Sequence, residues 1–162
     1  MKDRYWLIYL LLVAVQIVLG NFLNLGQLIT VCILPLLVLS LPIKYHSAVV
    51  LLITFATAMM VDILTHGIPG LGTVALLPVA AGRRWIIQAV FGAELYSRGE
   101  DLSVHRQGVL KIALAVLIAT AVYFAVFVWV DAAGTRSTGF CTLRWLLSTL
   151  VSAALEILLL WK

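Results

Sequence analysis

Residues 59–78 read Met-Met-Val-Asp-Ile-Leu-Thr-His-Gly-Ile-Pro-Gly-Leu-Gly-Thr-Val-Ala-Leu-Leu-Pro. They contain one carboxylate, Asp62, near the end of an apolar run, and a turn rich in glycine and proline separates this run from the next. Because glycine and proline at this density end regular helices, two apolar helices are predicted to meet at the turn. A charge inside a membrane span costs roughly 3 kcal/mol on insertion scales. Asp62 is therefore expected to face protein, water or a partner instead of lipid.

The composition of the whole chain is that of a membrane protein. Of its 162 residues, 64% are hydrophobic and only 11% are charged. A soluble domain of this length cannot hide so much apolar surface. The apolar runs are long enough for spanning helices, and the alternation typical of strands is absent. The predicted fold class is an all-α integral membrane protein, with residues 1–162 forming a single domain.

Six transmembrane helices are predicted, at about residues 5–20, 27–41, 47–64, 70–84, 109–130 and 140–161. Pro35 lies inside the second span and is expected to kink it. Residues 97–108 are the only clearly water-soluble segment. Residues 85–96 are apolar but contain Gln88 and Glu94. They could continue the fourth span or lie in the membrane interface as an amphipathic helix, and the sequence leaves both possibilities open.

The distribution of lysine and arginine predicts the orientation in the membrane. With six spans and a cytoplasmic N-terminus, nine of the eleven basic residues fall inside, and only Arg136 and Arg144 fall outside. Cytoplasmic loops carry such an excess of basic residues. Both termini are therefore predicted to be cytoplasmic, and the turn after Asp62 is predicted to face the other side. The net charge of +4 reports this topology and does not indicate binding to nucleic acid.

Three ionisable side chains inside the predicted spans are candidate sites. Asp62 and Arg144 are expected at comparable depth, so they could form an ion pair. Asp62 could instead bind a partner together with the turn, or belong to an ion or proton pathway. Glu156 is expected at a different depth, as a structural residue. Three basic side chains could neutralise it: Lys44, Arg83 and Lys111.

The sequence contains no recognisable catalytic or metal-binding arrangement. Asp62 and His66 are four residues apart, but no further ligands follow nearby, so no metal site is predicted. No two carboxylates share one depth, and no nucleophile turn or His-Glu-x-x-His motif is present. The glycine-rich turn lacks the lysine and hydroxyl residue of a phosphate loop. No enzymatic activity and no cofactor are predicted.

Small residues in two predicted spans could form a binding face for a foreign helix. Ala115 and Ala119 lie one turn apart in the fifth span, and Ala56 lies in the third. Membrane helices associate through such residues because their backbones can approach closely. The predicted partner-binding residues combine these faces with the turn: Ala56, Asp62, His66, Gly67, Gly70, Ala115 and Ala119.

The pattern over residues 35 to about 81 resembles the bacterial rod-shape-determining protein MreD family. One span ends in Leu41-Pro42 before a basic turn, and the next span ends in Asp62-Ile63-Leu64. The turn that follows carries three glycines, at positions 67, 70 and 72, and leads into the apolar residues 74–77. The family often has glycines in the third span before the aspartate, where this chain has Thr54, Ala56 and Ala58. Outside residues 35–81 only the architecture is similar.

The resemblance implies a non-enzymatic scaffold of the cell-elongation complex, or elongasome, in a bacterial inner membrane. MreD-like proteins help to direct peptidoglycan synthesis and so determine cell shape. They pair with MreC, a single-span protein with an extracytoplasmic domain. They also associate with the MreB filament and with the RodA glycosyltransferase and its penicillin-binding transpeptidase. Their fold is similar to the S component of energy-coupling-factor transporters.

An S-component-like protein that binds a small vitamin or lipid for uptake is the alternative function. It requires a polar-lined pocket that is open to the outside. The sequence offers few residues for such a pocket: Gln16, Asn21, Asn24, Asp62, His66 and Arg144. A small molecule that co-purifies with the chain would distinguish this alternative from a scaffold.

Overall fold

A computed structural model describes residues 2–23, 26, 28–43, 45–65, 69–92 and 108–160. In this part of the chain all regular structure is helical. The six helices are α1 (Lys2–Phe22), α2 (Leu34–Ser40), α3 (Ser47–Thr65), α4 (Leu71–Phe91), α5 (Val109–Ala132) and α6 (Thr138–Leu160). Four of them, α3 to α6, are long and apolar enough to cross a membrane. The architecture is that of an all-α, multi-pass membrane protein.

The second predicted span is not one continuous helix. Residues 28–33 are not helical, and α2 comprises only seven residues, Leu34–Ser40. Pro35 lies at the start of α2, where its missing N–H leaves no hydrogen bond unmade. Proline also disfavours the helical conformation of the residue before it. The prediction of a kinked helix over residues 27–41 is therefore wrong, because Pro35 starts the helix instead of bending it.

The fourth helix is longer than predicted. It continues through Arg83 and Arg84 to Phe91, so residues 85–91 extend α4. Gly92 has a φ of 84°, a left-handed value that favours glycine, and it follows the last helical residue. Residues 85–96 could have continued the fourth span or formed a separate interfacial helix, and as far as Phe91 they continue α4. Residues 93–96 lie outside the described residues.

Helix α5 lies at the centre of the bundle. It packs between α4 and α6 and also contacts α2. Half of its apolar stretch is buried, against 28% of the apolar stretch of α3. Its core face carries an aromatic cluster in which Tyr123 stacks on Phe127 at 5.6 Å and meets Phe124 edge-on at 5.1 Å between ring centroids. Helix α3 packs on α4, and α1 packs on α3, where the Tyr9 and Thr57 hydroxyls are 2.9 Å apart.

The helix termini gather at two ends of the bundle. At one end, Asn21 near the end of α1 donates from Nδ2 to the Leu64 carbonyl of α3 at 3.2 Å. The start of α4, the end of α5 and the start of α6 lie at this same end, called here the Asp62 end. At the opposite end, Arg83 of α4 donates to the carbonyl of Leu39, in the last turn of α2, and to that of Leu41, which follows the helix.

Candidate functional site

Asp62 caps the start of α4 from the preceding helix. Its side chain is buried, and its Oδ2 accepts from the Gly70 N–H at 3.1 Å and from the Thr73 N–H at 2.9 Å. The Thr73 hydroxyl donates to the same oxygen at 2.9 Å. The first N–H groups of a helix have no partner within it, so an external acceptor is needed when they are buried. Asp62 thereby joins α3 to α4.

Two glycines are required by this junction, Gly70 just before α4 and Gly72 in its first turn. Gly70 has a φ of 103°, a left-handed conformation that residues with a Cβ rarely adopt. A Cβ at Gly72 would overlap Oδ1 of Asp62 and lie 3.4 Å from the Tyr123 hydroxyl. Two other residues of the predicted partner-binding turn, His66 and Gly67, lie outside the described residues.

Asp62 and Arg144 do not form the ion pair that the sequence left possible. Asp62 bonds the start of α4, whereas Arg144 Nη1 donates to Asp131 Oδ2 at 2.5 Å, across the connection between α5 and α6. Arg144 Nη2 also donates to the Thr30 hydroxyl at 3.1 Å. Asp62 bonds the helix that follows its own, and Arg144 bonds the helix that precedes its own. A similar depth in the membrane therefore does not bring these two side chains together.

A double-mutant cycle distinguishes the two pairings. The changes Asp131→Asn and Arg144→Gln are expected to couple by about 0.5–1 kcal/mol, because they remove one partly exposed ion pair. The changes Asp62→Asn and Arg144→Gln should instead be additive. The measurement is the free energy of unfolding in detergent for each single and double variant. Coupling of Asp62 to Arg144 as large as that of Asp131 to Arg144 would contradict the observed partners.

A stripe of polar side chains on α6 faces the non-helical residues 28–33. Its members recur every fourth residue and so share one face of the helix: Arg144, Ser148, Ser152 and Glu156. The Thr30 N–H donates to Ser148 Oγ at 3.0 Å, and the Cys32 N–H donates to Ser152 Oγ at 3.1 Å. Ser152 Oγ is also 3.4 Å from the Thr30 carbonyl, to which it can donate. The stripe therefore pairs backbone groups that no helix satisfies.

Glu156 ends this stripe at the beginning of α2. Its side chain is fully buried, and its Oε1 accepts from the Leu36 N–H at 3.2 Å. Its Oε2 lies 2.6 Å from the Thr120 hydroxyl of α5. The described partners of Glu156 are thus a backbone N–H and a hydroxyl, not Arg83 or Lys111, which the sequence offered as possible partners; Lys44, the third candidate, lies outside the described residues. Arg83 donates instead to backbone carbonyls near the other end of α2.

Gln16 of α1 provides a further hydrogen-bond acceptor for the non-helical residues 28–33. Its side chain is buried, and its Oε1 accepts from the Ile33 N–H at 2.7 Å. Non-helical backbone is tolerated at membrane depth only where protein or water satisfies its polar groups. The acceptors on α1 and α6 meet this requirement at Thr30, Cys32 and Ile33. Gln16 is thus used by the chain's own backbone and not by the pocket for which the alternative function required it.

The two predicted small-residue faces differ in accessibility. Ala115 and Ala119 are 2% and 0% exposed, because α5 is the central helix. A foreign helix cannot reach them in this fold, so the prediction that they bind a partner is wrong. Ala56 is exposed on α3. It remains a candidate contact for a partner.

A cavity of about 270 Å³ lies at the Asp62 end of the bundle. Its polar wall consists of Thr30, Asp131 and Arg144. Its large apolar lining residues are Leu19, Leu23, Ile29, Leu71 and Phe127, although more of the accessible wall is polar than apolar. A single water needs only about 15 Å³, and small-molecule sites begin at roughly 300 Å³. At about 270 Å³ the cavity lies between these values, so it has room for an organic ligand smaller than a drug-sized molecule.

Most hydrogen-bond partners of the buried polar side chains were not predicted from the sequence. The spacing of four between Arg144, Ser148, Ser152 and Glu156 was the available signal, and it indicates one polar face on an otherwise apolar helix. Among the described residues, no three His, Cys, Asp or Glu side chains form a group that could hold a metal ion. No family model, curated protein or solved structure matches this chain, so its function is inferred from the contacts described above.

Proposed function

We propose that this chain is a non-enzymatic membrane scaffold of the MreD type, which helps to direct peptidoglycan synthesis and cell shape. The observation that carries the proposal is how the chain uses its buried polar side chains. Asp62, Gln16, Glu156 and Arg83 all bond the chain's own backbone. Such groups hold helices in place, whereas a transporter or enzyme directs comparable groups toward a substrate. This usage supports a structural role.

The residues that carry the resemblance to MreD also act together. Asp62, Gly70 and Gly72 form one junction, in which the carboxylate caps α4 and each glycine is required by geometry. A short motif whose members depend on one another in this way supports a family relationship more strongly than separate matches do. The S-component-like fold that the resemblance implies is part of the same proposal.

We further propose that six segments cross a bacterial inner membrane. The six non-helical residues 28–33 can span at most about 20 Å, and the seven residues of α2 add about 10 Å. Together they match the roughly 30 Å of the hydrocarbon core. With α1 and the four long helices this makes six crossings. The excess of basic residues supports an orientation in which both termini are cytoplasmic and the Asp62 end is outside.

The outward face of α3 is the proposed contact for the single span of an MreC-like partner. Exposed apolar residues follow one another there at spacings of three and four: Val49, Leu52, Ala56, Met60 and Ile63. Ala56 lies in the middle of this face, where a small side chain lets another backbone approach closely. The MreB filament, the RodA glycosyltransferase and the penicillin-binding transpeptidase would assemble around this pair in the membrane.

The substitution Ala56→Leu tests this contact. It is expected to reduce co-purification of the MreC-like protein about tenfold, since a misfit of this size costs about 1–3 kcal/mol. The tagged chain is expressed with its MreC-like partner, extracted in a mild detergent, and the bound partner is quantified. Ala154→Leu, an equally small-to-large change at an exposed position on α6, is the matched control.

Membrane insertion of both variants should equal that of the unsubstituted chain. Equal loss or equal retention of the partner in the two variants would contradict a contact at α3. Failure of any MreC-like protein to co-purify with the unsubstituted chain would contradict the scaffold proposal itself.

The cavity favours a second candidate function. An S-component-like binding protein needs a pocket with polar groups at one end of the bundle, and the cavity beside Arg144 has this form. In the proposed orientation it lies at the outer side. Purification with a bound small molecule and without an MreC-like partner would favour this second function over the scaffold.

A further inference from the structure

The cavity at the Asp62 end combines one guanidinium group with several large apolar side chains in a wall that is otherwise mainly polar. Arg144 has only 12% of its side chain exposed, and its guanidinium carbon lies 6.0 Å from the centre of the Phe127 ring. Leu23 and Leu71 contribute apolar surface to the same cavity. Its 270 Å³ corresponds to about nine waters at roughly 30 Å³ each in the liquid, so it fits a molecule of no more than about nine non-hydrogen atoms.

Arg144 has more hydrogen-bond donors than its protein partners use. A guanidinium group carries five N–H donors. One donates to Asp131 and one to Thr30, while Nε is buried and has no hydrogen-bond partner. A buried donor without an acceptor is unfavourable. Asp131 and Thr30 each take one N–H of Nη1 and Nη2, so the second N–H of each nitrogen is left to donate to a ligand oxygen anion in the cavity.

Asp131 does not prevent an anion from binding beside Arg144. Its carboxylate accepts from Nη1 alone, and 32% of its side chain is exposed to solvent. The planar guanidinium group can hold a second oxyanion along another edge. Asp131 instead keeps the Arg144 side chain oriented, together with the Thr30 hydroxyl at 3.1 Å.

We propose that this cavity binds a small amphipathic anion, with its carboxylate or phosphate group on Arg144 and a short apolar chain or ring against Leu23 and Leu71. The source of this chemistry is either a free organic acid or the headgroup region of an anionic phospholipid. The site is independent of the scaffold role. It gives the binding-protein candidate a ligand class, and its test involves no MreC-like partner.

Hexanoate is the probe for the free acid. It should bind the purified full-length chain in a neutral detergent saturably and raise its thermal unfolding midpoint, followed by tryptophan fluorescence. Hexanol and hexylammonium, which share the apolar chain but lack the anion, should not. Arg144→Gln is expected to weaken hexanoate binding at least about tenfold, as measured by calorimetry. Arg136→Gln, which removes an exposed arginine outside the cavity, is the matched control and should bind normally.

Leu23→Trp tests the location without removing any polar contact. Leu23 is 41% exposed and lines the cavity, so the larger ring should fill it while the chain stays folded. Hexanoate binding should then be lost although Arg144 is intact. Because this variant leaves the bonds of Arg144 unchanged, it separates loss of the site from loss of the fold.

Nanodiscs of phosphatidylcholine with and without phosphatidylglycerol provide the lipid arm. Native mass spectrometry should show retained phosphatidylglycerol that hexanoate displaces if a headgroup is the source. Hexanoate binding without lipid retention assigns a free acid. The proposal is overturned if neither hexanoate nor phosphatidylglycerol binds. It is also overturned if the Arg144→Gln and Leu23→Trp variants both bind hexanoate as well as the unsubstituted chain does.

Discussion

Replacing Asp62 with alanine is expected to lower the free energy of unfolding by about 2–5 kcal/mol, the largest effect of any single change considered. The reason is that one carboxylate oxygen accepts from the Gly70 and Thr73 N–H groups and from the Thr73 hydroxyl. Each buried donor left without an acceptor costs about 1–3 kcal/mol. The measurement is a denaturant titration in detergent, followed by tryptophan fluorescence.

Two glycine substitutions in α4 supply a matched comparison for this prediction. Gly72→Ala should also be destabilising, since its Cβ would overlap Oδ1 of Asp62. Gly82→Ala is the control because nothing lies within 4 Å of its Cβ. It should be neutral or stabilising by up to about 1 kcal/mol, as alanine favours the helix over glycine. Similar values for the two alanine variants would contradict the packing of Asp62 against Gly72.

Replacing Glu156 with leucine is expected to cost about 1–3 kcal/mol. This change leaves the buried Leu36 N–H without an acceptor, and no water can take its place in an apolar interior. Glu156→Gln should cost less than about 1 kcal/mol. The amide keeps an oxygen for Leu36, and its NH₂ group can donate to the Thr120 hydroxyl, which itself donates to the Val116 carbonyl at 2.8 Å.

The comparison of these two variants distinguishes hydrogen bonding from charge at position 156. Unfolding free energies measured in one detergent should place Glu156→Gln close to the unsubstituted chain and Glu156→Leu well below it. Thr142→Val, which removes an exposed hydroxyl from the same helix, is the control and should have little effect. Equal destabilisation by glutamine and leucine would show that the negative charge is needed and would contradict this account.

Hydrophobic patterning was sufficient to predict the fold class and the longer helices. Long apolar runs form spanning helices because a helix satisfies its own backbone, whatever its neighbours are. The same local reasoning placed a break between α3 and α4 and required Asp62 to avoid lipid. These expectations depend only on neighbouring residues and on the surrounding solvent.

The second span and the partners of the charged residues could not be predicted in this way. Whether residues 28–33 form a helix depends on acceptors supplied by Gln16 and by the α6 stripe, far away in sequence. Arg144 pairs with Asp131 and not with Asp62, because helix adjacency and not depth alone decides which groups meet.

The sequence by itself determined that this chain is a helical membrane protein with a carboxylate held at a glycine-rich turn. Only the tertiary structure decided which small residues are accessible and which polar groups are used internally. Ala115 and Ala119 look like a binding face until α5 becomes the central helix, whereas Ala56 stays exposed. The physical reason is that hydrophobicity and turn chemistry act locally. Burial, cavities and hydrogen-bond partners depend instead on how helices distant in sequence pack together.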